Sequence, residues 1–187
     1  MASPEPLISL TGTKMINKKA SKIKLLFLDA DGVMTDGRII MNDQGEEIKA
    51  FDVKDGLGLR MLMSSGLEVV IVTGRKSQVL AHRSRELGIQ EVHQGVKDKH
   101  VVCRQLKKTR DLKKEQVCSL GDDLPDLAMF AESGLCIAVA DAVKEVREAA
   151  DFVTKSNGGF GAVREVCEYI LKCQGKWREV LAAFTGE

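Results

Sequence analysis

The sequence predicts an α/β fold, a Rossmann-like, doubly wound parallel sheet. Three observations carry this. From residue 23 onward, short apolar runs alternate with longer segments of helical period, as parallel strands joined by crossover helices do. The 187 residues, 44% of them hydrophobic, suffice for one well-buried core and one domain. Three of the apolar runs also end in polar, glycine-containing turns, and ligands bind beyond the carboxyl ends of strands in such sheets.

Residues 23–28 read as a buried strand. Residues 38–51 read as a hairpin flap, with Asn42-Asp43-Gln44-Gly45 at the turn. A helix over 56–65 precedes a second buried strand at 67–72. Residues 76–87 form a helix stopped by Gly88. A short strand at 91–93 leads to a helix over 97–108, and 116–120 is a third strong strand. A helix at 125–132, a strand at 135–139, a helix at 143–149, a short strand at 151–153 and a helix at 162–171 complete the pattern. Residues 1–21 carry Pro4, Pro6, Gly12 and the basic pair Lys18 and Lys19, without the apolar stretch of a secretory signal, and read as a loose N-terminal extension. Residues 22–187 read as a single domain with a C-terminal tail.

Composition excludes several classes. No apolar run approaches the ~20 residues of a membrane span. A net charge of +1 gives no global field for nucleic acid or membrane, and one Trp and one Tyr offer few platforms for stacking bases. The five cysteines form no C-x-x-C pair and several lie in apolar runs, which favours a reducing cytoplasm over a disulfide or zinc framework.

The chemistry lies in the three turns. Asp29 and Asp31 follow the first strand, and residues two apart at a strand end face the same way. Asp122 and Asp123 follow the third strong strand. So many acids, with no nearby Cys or His, make a hard-oxygen site suited to Mg2+, which takes one or two carboxylates, waters and a substrate phosphate. Each aspartate taken singly is also a common turn residue or helix cap. Asp126 is either a further acid of the site or a first-turn residue favoured by the helix dipole, and is read as the latter.

Thr73 and the Gly74 amide, at a helix start, suit a phosphate oxygen, or Thr73 is a plain cap. Arg75 pairs with substrate or with an internal acid. Lys99 stands at a helix N-terminus, where the dipole disfavours it, so a use as a point charge on phosphate follows; Lys97 competes on spacing alone. His82, His93 and His100 lack metal-ligand spacing and read as structural.

The ordered set Asp29-x-Asp31-Gly32-Val33-x-Thr35-Asp36-Gly37, Thr73-Gly74-Arg75, Lys99 and Gly121-Asp122-Asp123 resembles the four motifs of the haloacid dehalogenase superfamily. With Asp55-Gly56-Leu57-Gly58-Leu59-Arg60 and Gly158-Gly159-x-Gly161-Ala162-Val163-Arg164-Glu165, it is similar to the 3-deoxy-D-manno-octulosonate 8-phosphate phosphatase family and relatives acting on nine-carbon sugar acid phosphates. The resemblance implies that Asp29 attacks phosphorus and becomes an aspartyl phosphate. It implies that Asp31 protonates the leaving alkoxide and then activates water. Asp29, the Asp31 carbonyl and Asp122 then hold magnesium, and Thr73 and Lys99 bind the phosphoryl group. Lys54, Arg60 and Arg75 are expected to bind a substrate carboxylate, whether the sugar acid has eight or nine carbons. The implied product is the eight-carbon keto-sugar acid of lipopolysaccharide.

Neither the interval from Asp36 to Thr73 nor that from Thr73 to Lys99 is long enough to house a cap domain. A dry site then needs the hairpin, another subunit, or both as lid. A symmetric oligomer follows, a homotetramer by the resemblance, with the segment from Asn157 onward reaching over a neighbour's site. A catalytically silent partner of a sugar-nucleotide synthase is the rival of another class, and the intact set of Asp29, Asp31, Lys99 and Asp122 argues against it.

Overall fold

The computed structural model describes residues 10–185. In chain order its elements are α1 (Leu10–Ala20), β1 (Leu25–Leu28), β2 (Ile40–Met41), β3 (Glu47–Ile48), α2 (Val53–Ser64), β4 (Glu68–Val72), α3 (Gln78–Leu87), β5 (Glu91–His93), α4 (Lys99–Thr109) and β6 (Val117–Gly121). A 3-10 turn (Leu124–Asp126) then leads into α5 (Leu127–Phe130), β7 (Leu135–Ala138), α6 (Lys144–Ala149), β8 (Phe152–Val153), α7 (Ala162–Cys173) and α8 (Trp177–Thr185). Six strands pair in parallel in the order β5-β4-β1-β6-β7-β8, and β2 and β3 form a separate antiparallel hairpin.

The sheet is buried on both faces because its central strands are nearly unbroken apolar runs. In β1, all four side chains are fully buried, and alternate residues serve opposite faces. Leu26 and Leu28 join the larger core with α2 and α7, while Leu25 and Phe27 join a smaller one with Cys103 and Leu106 of α4. The chain winds from β1 to β4 and β5 on one side, then returns to β6, β7 and β8 on the other. That reversal leaves a crevice beyond the carboxyl ends of β1 and β6. Among the described residues, no cap domain interrupts this plan, and no helix is long and apolar enough to cross a membrane.

Both ends of the described chain differ from expectation. Residues 10–20 of the expected loose extension are a docked helix; residues 1–9 lie outside the described residues. Ile16 and Ala20, four apart, share one helix face; Ile16 packs on the core and Ala20 is fully buried. Asn17 accepts a hydrogen bond from Tyr169 Oη at 2.7 Å, and Lys19 pairs with Asp151 at 2.5 Å. At the other end, α7 belongs to the core to its last turn, with Ile170 and Leu171 fully buried. Helix α8 follows, and its Trp177 and Val180 pack against that core.

Candidate active site

The end of β1 delivers Asp29 into the crevice, its backbone N–H bound to Leu120 O at 3.1 Å. The loop then turns through Gly32 at φ +90°, where a Cβ would collide with the Asp122 carboxylate; only glycine lets the two loops lie this close. Thr35 Oγ1 steadies the loop by accepting from the Gly32 and Gly37 amides at 3.3 and 3.2 Å. From the opposite wall comes Lys99, at the start of α4 after its N-cap Asp98. Its ammonium bridges Asp29 at 2.5 Å and Asp126 at 2.6 Å. The other oxygen of Asp126 accepts the backbone N–H groups of Asp122 and Asp123 at 2.8 and 3.2 Å. Asp126 therefore ties Lys99 to the loop that carries Asp122.

One oxygen each from Asp29, Asp122 and Asp126 lie within 4.8 Å of one another. Burial, then the charge of Asp126, pushes the Asp29 carboxyl well above its usual range, although Lys99 opposes the shift. Burial and the neighbouring aspartates push Asp122 up to about 8. Burial works against the Lys99 ammonium, but Asp29 and Asp126 outweigh it and raise its pKa. Three carboxylates face one ammonium here, and Asp122 Oδ1 is buried without a hydrogen-bond partner among the described residues. An all-oxygen cluster short of positive charge, with a buried acceptor left over, fits a hard divalent cation such as magnesium.

These groups line a cleft of about 580 Å³ together with Asp31, Thr73, Gly74 and Arg75. Thr73 is buried, and its Oγ1 accepts the Arg75 amide at 3.4 Å. The hairpin folds over this side. Glu47 accepts from Arg75 Nη2 at 2.8 Å and from Ser77 Oγ at 2.5 Å, and Lys49 pairs with Asp31. Burial opposes the Glu47 carboxylate, but Ser77, Arg75 and Lys49 outweigh it and hold its pKa below the usual range.

The chain is 48% identical over 159 residues to the 3-deoxy-D-manno-octulosonate 8-phosphate phosphatase of Yersinia pestis, covering 85% of each chain. It belongs to that phosphatase family, within the haloacid dehalogenase superfamily. A model of haloacid dehalogenase-like hydrolases also matches residues 83–166. Among solved structures, the phosphatase resembles the Moraxella catarrhalis 3-deoxy-D-manno-octulosonate 8-phosphate phosphatase, in complex with magnesium ion, phosphate ion and a KDO molecule. The TM-score is 0.89 at 43% identity, covering 91% of this chain and 98% of that one. It also resembles the cobalt-bound Haemophilus influenzae enzyme, with a TM-score of 0.82 at 42% identity, covering 85% of this chain and 93% of that one.

Of the residues singled out in the sequence, Asp29, Asp31, Thr73, Gly74, Arg75, Lys99 and Asp122 meet in the cleft. Lys97 and Lys99 both line the cleft, but Lys97 is exposed, while Lys99 is buried between two acids. Lys54 and Arg60 do not join them; both are exposed on α2 and line no part of this cleft. A helix whose buried face carries Asp55, Leu59 and Leu62 turns those two cations to solvent. The three histidines pair elsewhere, His82 with Arg85, His93 with Glu91 and His100 with Glu132. Asp123 is a cap, accepting the Leu124 amide at 2.8 Å. Asp126 lies in the first turn as read, accepting the N-cap amide, and is also a member of the acidic cluster. Its spacing of four from Asp122 at a helix start was the available signal. Glu47 and Lys49 were missed, and their separation of two on one hairpin arm was the only hint.

Proposed function

We propose that this phosphatase is magnesium-dependent and hydrolyses 3-deoxy-D-manno-octulosonate 8-phosphate to the free sugar acid and phosphate. The observation that carries the reading is Lys99, buried and clamped between Asp29 and Asp126 beside an incompletely neutralised acidic cluster. Asp29 is the nucleophile: its carboxylate oxygen bonds to phosphorus as the bond to the sugar oxygen breaks. Asp31 gives its proton to that leaving alkoxide. In the second step Asp31 takes a proton from water, whose oxygen attacks phosphorus and returns Asp29 as free carboxylate. Thr73, Gly74 and Lys99 hold the phosphoryl oxygens throughout. Asp29, Asp122, Asp126 and the Asp31 carbonyl would hold magnesium, which when bound offsets the charge of the phosphoryl oxygens and of the cluster itself.

The eight-carbon substrate is supported by the printed names of the relatives. Lys54, Arg60 and Arg75 do not separate it from a nine-carbon acid. On a neighbouring copy, Lys54 and Arg60 could still meet a substrate carboxylate, and this belongs to the proposed homotetramer. The exposed apolar side chains of Ile39, Ile40, Met41 and Ile48 on the flap, with Val53 nearby, support such a contact. A cytoplasmic location is part of the same reading. Phosphate release measured over eight- and nine-carbon sugar acid phosphates tests the substrate. The eight-carbon ester should show the highest kcat/KM, and a faster nine-carbon ester would replace it. Sedimentation on the same sample tests the tetramer.

A further inference from the structure

We infer that Lys49 is the positioning residue for Asp31, and that Glu47 holds Lys49 in place. The inference rests on the proposed role of Asp31 as proton donor and acceptor. Lys49 belongs to the return arm of the flap, next to Ile48, which is 55% exposed; its own side chain is only 3% exposed. A lysine is rarely buried so fully unless paired. Here its ammonium contacts Asp31 Oδ1 and stands 3.5 Å from Glu47 Oε1. The two oxygens of Asp31 are thereby divided. Oδ1 is anchored, whereas Oδ2 is shielded from solvent without a hydrogen-bond partner among the described residues, with Arg75 Nε 3.7 Å away. A carboxylate that moves protons needs this arrangement, one oxygen fixing the rotamer and the other left for the reacting atom.

Glu47 fixes the arm itself. Its two oxygens take Arg75 and Ser77, which follow Thr73 in the segment after β4. The hairpin is thus latched to the loop that carries the phosphate-binding threonine, and closing the flap and placing Asp31 are one event.

Two esters separate this role from others. A sugar phosphate leaves as a strongly basic alkoxide and needs the Asp31 proton; p-nitrophenyl phosphate leaves as a weakly basic phenolate and does not. Breakdown of the phosphoenzyme needs Asp31 with either ester. Lys49→Met should therefore release a rapid burst of nitrophenolate, close to one per site, and then turn over about 10–100-fold more slowly than wild type. With the sugar acid phosphate its kcat should fall at least as far, while KM moves less than about threefold. Lys49→Arg should recover much of the loss. Glu47→Gln, which keeps the shape of the latch, should show the same split at smaller size, and reads the effect if Lys49→Met does not fold. Turnover of both variants within about twofold of wild type on both esters would overturn the inference. So would a raised KM at unchanged kcat, which is the mark of a substrate-binding lysine. If wild type hydrolyses the aryl ester but not the sugar acid phosphate, the substrate reading fails, and the burst experiment still judges Lys49.

Discussion

Lys99→Met removes the ammonium that bridges Asp29 and Asp126 while nearly keeping the side chain's length. The three partners are 6%, 8% and 2% exposed, so water does little to replace the lost charge. Removing one member of a buried ion pair typically destabilises by about 3–5 kcal/mol, against a total stability of roughly 5–15 kcal/mol. The loss depends on pH. Asp122 is raised from 3.8 to about 8 and Asp29 is raised as well, so the metal-free folded state binds protons that the unfolded chain has released. Stability is then greatest at acidic pH and falls as pH rises through the folded values, by up to about 1.4 kcal/mol per pH unit for each proton. In Lys99→Met these carboxyls rise further. The part of the loss carried by Asp29 and Asp122 should therefore be small at about pH 6, where they are protonated, and grow toward about pH 8.5, while the part carried by Asp126 remains. Urea unfolding followed by circular dichroism, in chelator and in excess magnesium, reads all four conditions. Magnesium should restore the variant more than it stabilises wild type, because it supplies the missing charge. An alkaline, metal-free stability within about 0.5 kcal/mol of wild type, or no extra gain from magnesium, would refute the electrostatic account.

Asp29→Asn should abolish steady-state phosphate release while the magnesium-free protein still melts cooperatively, because an amide cannot serve as the nucleophile. Asp126→Asn cannot both accept the Asp122 and Asp123 amides and pair with Lys99, so magnesium titration of activity should show affinity lower by about 10–100-fold. Asp55, raised to about 6 by burial against the opposing pull of the Arg164 and Gly161 amides, takes up a proton on folding. It therefore adds stability below its unfolded pKa that is lost as pH rises through about 6, and Asp55→Asn should flatten this part of the urea-stability profile. Truncation after Glu168 should unfold the protein, since it deletes Ile170 and Leu171, worth about 2–5 kcal/mol each when truncated to alanine. Truncation after Gln174 spares that core and should leave a cooperative melt by circular dichroism.

The sequence by itself determined the sheet, the crevice and most of the cleft. Apolar runs such as those of β1 and β4 can be buried only as central strands, and their alternation with helices forces parallel pairing, so Asp29, Thr73 and Asp122 had to emerge at one edge. What followed from chain-local pattern was legible; what followed from a partner distant in sequence was not. Residues 10–20 carry prolines before them, a glycine within and lysines at their end, yet they are helical because Ile16 and Ala20 find a surface beside α7, more than a hundred residues away. Lys97 and Lys99 differ in burial because the first faces water and the second meets two acids from other loops. Asp126 is a buried bridge as well as a first-turn residue, since a cap and a bridge look alike until Lys99 is in place. Lys54 and Arg60 have the charge for a substrate carboxylate, but the helix phase set by Asp55, Leu59 and Leu62 turns them outward. The pairing of Lys49 with Asp31 was decided by the fold of the hairpin over the crevice, because a charge on a flap has no partner until the flap has a place to close.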